Sequence, residues 1–92
     1  MYEIKRGNKF KKSYKRIISS GNFKPKIFER IIELLIQGTE IGEQYHDHAL
    51  KGNFYGLREC HIYGDCLLIY EININEKYVR LIDVGNHANL FE

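Results

Sequence analysis

The chain predicts an α+β fold of order βααβββ: an N-terminal helical hairpin packed on a small, mainly antiparallel four-stranded sheet, with a short C-terminal segment. Two observations carry this. Apolar residues recur at helical spacing in two runs between Asn8 and Gly38, and between Leu57 and Val84 three alternating or continuously apolar runs are separated by tight turns.

Tyr2 and Ile4 alternate with Glu3 and Lys5, the pattern of a short half-buried strand. Asn8 is a good N-cap, and Phe10, Tyr14, Ile17 and Ile18 then follow at helical spacing. Ser19 to Asn22 reads as a turn, and Lys24 before Pro25 is biased away from helix, so the second helix opens at Pro25. Its stripe is Phe28, Ile31, Ile32 and Leu35, widened by Ile27 and Leu34, and Gly38 supplies a stop. Residues 39–56 are polar and turn-rich and read as a loop that carries histidines. Leu57 to Ile62 alternates as a strand, and Tyr63-Gly64-Asp65 is a turn. Cys66 to Ile72 is apolar enough for a central strand with helices over one face. Asn73 to Glu76 is a hairpin turn, Tyr78 to Val84 the fourth strand, and His87 to Glu92 the terminal segment.

At 92 residues, 43% of them apolar, one domain over residues 1–92 is expected, with a core that needs neither disulfides nor a structural metal. No apolar run approaches the roughly 20 residues that span a bilayer, and no signal-peptide core follows the basic N-terminus, so no membrane is expected. Cys60 and Cys66 in such a chain are expected as reduced thiols in a cytoplasm. The net charge of +2 is unevenly spread: residues 1–26 hold nine Lys/Arg against Glu3 alone, whereas residues 27–92 hold five against eleven acids. A concentrated basic helix is a polyanion footprint, although a charged helix face is more often merely solvated.

Four histidines, His46, His48, His61 and His87, are numerous for this length. An unperturbed imidazole titrates at about 6.5 and can give or take a proton near neutrality, so a cluster is a candidate acid/base centre. Any one of them taken alone is more often a partly exposed polar residue.

The stretch Asp47-His48-Ala49-Leu50-Lys51-Gly52, then Arg58-Glu59-Cys60-His61 with Asp65 four residues on, then Gly85-Asn86-His87-Ala88-Asn89-Leu90-Phe91, resembles the YafQ branch of the RelE/ParE toxin superfamily. The match is ordered and spans the chain. The resemblance implies a RelE-like fold and a sequence-specific, ribosome-dependent mRNA endonuclease. Such a protein is the toxin of a bacterial type II toxin–antitoxin pair, silenced by a cognate antitoxin and bound to operator DNA only through the antitoxin complex. Carried over by position, it makes His48, His61, Asp65, His87 and Phe91 the expected active-site set. Cys66 departs from relatives that carry a large aromatic after the aspartate, which puts one stacking contact in doubt.

Metal-free RNA cleavage suits these residues: the neighbouring 2′-OH attacks the phosphate, one group takes its proton, another protonates the departing 5′ oxygen, and positive charge stabilises the phosphorane. No cofactor is expected. Period-2 alternation puts Glu59 on the same strand face as His61, where it can orient the ring. Phe91 is a stacking platform for a splayed base or a core anchor for the tail. Arg58 and Arg80, within strands, are read as phosphate ligands beside the histidines or as strand-edge ion pairs. Lys51 and the helix face of Lys9, Lys11, Lys12, Lys15 and Arg16 are expected to hold RNA backbone, with binding that weakens steeply in salt.

A zinc reading of His46, His48, Cys60 and His61 fits poorly, since adjacent residues on a strand point to opposite faces. Cys60 and Cys66 are better read as small hydrophobes than as nucleophiles. The alternative class is a non-catalytic ParE-like toxin that acts by binding a protein target, which has no use for this histidine set.

Overall fold

A computed structural model describes the backbone of residues 1–91 and the side chains of residues 1–90. The elements are β1 (Glu3–Arg6), α1 (Asn8–Ser19), α2 (Pro25–Ile36), β2 (His48–Ala49), β3 (Arg58–Tyr63), β4 (Cys66–Asn73), β5 (Tyr78–Gly85) and α3 (His87–Phe91). The sheet has five strands in the order β1-β5-β4-β3-β2, with β1 parallel to β5 and the other pairs antiparallel. The α+β architecture is as the sequence predicts, with one strand more. That strand, β2, is two residues long, too short to show a period against the turn-rich residues around it. Short 3-10 turns at Glu43–Tyr45 and Gly52–Phe54 flank it.

Asn8 begins the first helix instead of capping it. Gly7 is the N-cap, and no side-chain cap bond forms there. Packing decides this: a Cβ at Gly7 would lie 3.0 Å from the Leu81 carbonyl oxygen, so the chain turns from β1 into α1 where only glycine lets the backbones approach. Pro25 opens α2 as expected. Gly38, at φ 72, takes the left-handed conformation just past its end.

Phe10 from α1 and Phe28, Ile31 and Leu35 from α2 pack on Cys60, Ile62, Leu68, Tyr70, Val79, Leu81 and Val84, which fill the helix-side face of the sheet. Leu67 and Ile69 alternate to the other face, where Leu90 of α3 and the half-buried Leu50, Leu57 and Ile82 cover them. β4 is therefore apolar in succession because both its faces are covered. The second cover is small, so the rest of that face is open at the β2 and β3 side. Among the described residues, no helix is long and apolar enough to cross a membrane.

Candidate active site

His48 on β2 lies directly opposite Glu59 on β3, and His61 follows Glu59 by two, so the three share the face away from the helices. The Glu59 side chain is only 6% exposed, and its Oε1 stands 3.4 Å from His48 Nε2 and 3.6 Å from His61 Nε2. One buried carboxylate thus serves two imidazoles. The other ring nitrogen of His48, Nδ1, lies 2.7 Å from the His46 carbonyl oxygen, so a ring with both nitrogens protonated donates on both sides. The His46 ring, carried on a left-handed residue at φ 52, lies 5.1 Å from the His61 ring at a tilt of 55°. His46 was outside the set that the motifs pointed to. Only the fold brings it beside His61, and its signal in sequence was no more than one additional histidine.

The loop that carries His46 and His48 is fixed by the residue between them. Asp47 accepts hydrogen bonds from the buried Tyr70 hydroxyl and from Arg58 Nη2, the latter at 2.8 Å. The Asp47 hydrogen bond raises the Arg58 guanidinium above its usual range against the opposing effect of burial. Burial first, and Asp47 second, push the Tyr70 hydroxyl up.

Arg58 is therefore not beside the histidines. It pairs in register with Tyr70 on the helix-side face and is held by Asp47, because the alternation that aligns Glu59 with His61 turns Arg58 the other way. Arg80 lies two strands from β3, 3.9 Å from Glu71 and over the Tyr78 ring. Both stand in ion pairs, the second of the two readings the sequence left open.

Asp65 and His87 meet at the end of the same sheet, where Asp65 Oδ1 accepts the His87 backbone N–H at 3.4 Å. His61, Leu67 and Gly85 form one row across β3, β4 and β5. Two interstrand steps of about 4.8 Å place His61 and Gly85 about 10 Å apart, with His87 two residues beyond Gly85. Asp65 thus ties down the start of α3. The expected stacking ring of Phe91 lies outside the described side chains.

The cations divide. Lys51 is exposed in the loop between β2 and β3. Lys12, Lys15 and Arg16 are exposed on α1, whose inner residues Phe10 and Ser13 face the sheet from the side opposite Glu59 and His61. Lys9 is 3.4 Å from the buried Asp83. The basic helix and the histidines therefore occupy different faces, a separation that charge counting along the chain does not reveal.

Both thiols are free. Burial pushes the Cys60 and Cys66 thiols up, which keeps them protonated and poor nucleophiles. Cys60 points to the helix side and cannot join His61 around an ion. Among the described residues, no three His, Cys, Asp or Glu side chains have a spacing that holds a metal.

A small α+β fold with a histidine–carboxylate cluster on its open sheet face defines a class, and comparison with known proteins agrees with it. A family model described as bacterial toxin of type II toxin–antitoxin system, YafQ, matches residues 2–92. The chain belongs to the YafQ toxin family. It is 37% identical over 62 residues to the mRNA interferase toxin YafQ of Escherichia coli K12, covering 66% of this chain and 65% of that one. Alignments with curated relatives span 49% and 65% of those relatives' length. A metal-bound toxin from Helicobacter pylori superposes with a TM-score of 0.87 at 34% identity, covering 99% of this chain and all of that one. A chain of the E. coli DinJ–YafQ complex gives 0.85 at 27% identity, with both chains fully covered.

Proposed function

We propose that this chain is an mRNA endoribonuclease, the toxin of a type II toxin–antitoxin pair, acting on ribosome-bound message by histidine acid/base chemistry. The observation that carries the reading is the buried Glu59 carboxylate shared by His48 and His61. A carboxylate in that position holds both rings toward the open face, where a phosphate brings its 2′-OH and its 5′ oxygen within their reach. One imidazole then takes the 2′-OH proton, and another delivers a proton to the leaving oxygen. His61 and His87 are the leading pair, with His48 adding positive charge for the phosphorane. Asp65 fixes the His87 segment, and Phe91 is assigned the base-stacking role that the family resemblance implies. Every step of this scheme is carried by the chain's own side chains.

Lys12, Lys15 and Arg16 lie behind the sheet and so hold RNA other than the cleaved segment, which suits a substrate presented on a ribosome. The partner is a cognate antitoxin that covers the histidine face and carries any operator-DNA binding. The proposed location is the bacterial cytoplasm.

The test is induction of the native chain, His61→Ala and His87→Ala in cells, with growth and transcript cleavage followed, and ribosome-dependent cleavage in vitro with and without a zinc-selective chelator that leaves ribosomal Mg2+ in place. The native chain arrests growth and cuts transcripts whether or not that chelator is present, and each variant loses about 100-fold or more in cleavage rate. Arrest without transcript cleavage refutes the reading in favour of a protein target, and cleavage abolished by the chelator and restored by added zinc refutes the metal-free chemistry.

A further inference from the structure

His61 is a wall of a second hollow. β2 begins opposite Glu59 and runs back toward Arg58, so the edge of β3 from His61 onward is flanked not by β2 but by the 3-10 turn at Glu43–Tyr45 that precedes it. Between that turn and the β3–β4 turn lies an open hollow of about 460 Å³ lined by Ile27, Gln44, Tyr45, His46, His61 and Tyr63, among others. Four of these present aromatic rings. Gln44 Nε2 donates to the Tyr45 hydroxyl at 3.5 Å, and the amide keeps its carbonyl oxygen and a second N–H for another partner. The Tyr63 hydroxyl donates to the Asn22 carbonyl at 3.2 Å, which tethers this ring to the α1–α2 loop. Lys24 Nζ stands 5.4 Å from the Tyr63 ring centroid and puts a cation at the margin.

Flat π surfaces, an amide with donor and acceptor, and a cation at the rim are the groups that bind an unstacked nucleotide: rings for the base face, amide for the base edge, ammonium for the phosphate. His61 belongs both to the hollow and to the catalytic cluster, and the His46 carbonyl beside His48 Nδ1 joins the two as well. A phosphate held at His61 therefore presents its neighbouring nucleotide to the hollow.

We propose that the hollow between the Glu43–Tyr45 turn and the β3–β4 turn is a nucleotide subsite, in which His46, Tyr63 and Gln44 receive the base adjacent to the cleaved bond and bias which sequences are cut. This rests on the nuclease reading above and adds to it a specificity-determining residue, His46.

His46→Asn is the informative variant, since asparagine tolerates the left-handed backbone and removes only the ring. Gln44→Ala, at an exposed position, repeats the test should His46→Asn disturb the circular dichroism spectrum. Ribosome-dependent cleavage of a defined message is followed by initial rates and by mapping of cut sites. 2′-O-methyl tetranucleotides that differ in one base serve as uncleavable probes in NMR titrations. The native chain binds them with a base preference and shifts the His46 and Tyr63 ring signals. The variants raise KM on the order of 5- to 10-fold, more than they lower kcat, and redistribute the cut sites. Native-like KM and cut sites in both variants, with the native chain active, overturn the subsite and leave the nuclease reading standing. A native chain that cuts no message overturns both.

Discussion

Asp47→Ala removes the side chain that hydrogen-bonds the histidine loop to Arg58 and Tyr70 on the helix-side face, and its cost follows from those two bonds. The Arg58 bond, at 2.8 Å between side chains 35% and 12% exposed, is partly screened, so about 1 kcal/mol is assigned to it. Tyr70 is 1% exposed, and its hydroxyl left without an acceptor costs about 1–2 kcal/mol. The sum, about 2–3 kcal/mol, lowers the melting temperature on the order of 10 °C in a chain this small. Tyr70→Phe removes donor and need together and costs about 1 kcal/mol. In the double variant no buried hydroxyl is orphaned, so the two losses fall short of additivity by about 1 kcal/mol. Urea denaturation of the four proteins measures the cycle. Strict additivity, or a cost below about 0.5 kcal/mol for Asp47→Ala, refutes the account of the loop. Cleavage should fall with stability held constant by added osmolyte, because the released loop no longer presents His48 opposite Glu59.

Glu59→Gln keeps the shape of the shared carboxylate and removes its charge. Cleavage falls about 10- to 100-fold, as for other supporting partners, while stability holds or rises because a buried carboxylate carries a desolvation penalty. Initial rates within about twofold of native remove Glu59 from the mechanism. Burial holds the Tyr70 hydroxyl and the Cys60 thiol above their ordinary ranges. Groups raised in the folded state contribute fully below their unfolded values, about 8.5 for Cys and 10 for Tyr, and lose that contribution as pH rises past them. Unfolding free energy should therefore decline in alkali, and Tyr70→Phe should flatten the part above about pH 10. An unchanged alkaline slope in that variant sinks the assignment.

Long periodic elements were legible: the stripes at Phe28, Ile31 and Leu35 and at Cys66 to Ile72 need only local spacing to declare their faces. Glu59 and His61 were legible as a pair for the same reason, since a strand's period of two is local. Applied to Arg58, that period places it on the other face from Glu59 and His61, where Asp47 holds it. β2 was not legible, because two residues carry no period and pair only where β3 already stands.

The linear chain alone determined the α+β class, the toxin family through the ordered Asp47-His48, Glu59-x-His61 and Gly85-x-His87 segments, and the list of imidazoles. Tertiary structure decided which of them meet. It joined His48 and His61 through one buried carboxylate, set His46 against His61, turned Arg58 to Asp47, and put the basic helix behind the sheet. The physical reason is that hydrogen bonds and packing between strands act through space, among residues whose separation along the chain does not encode which side of a sheet they share.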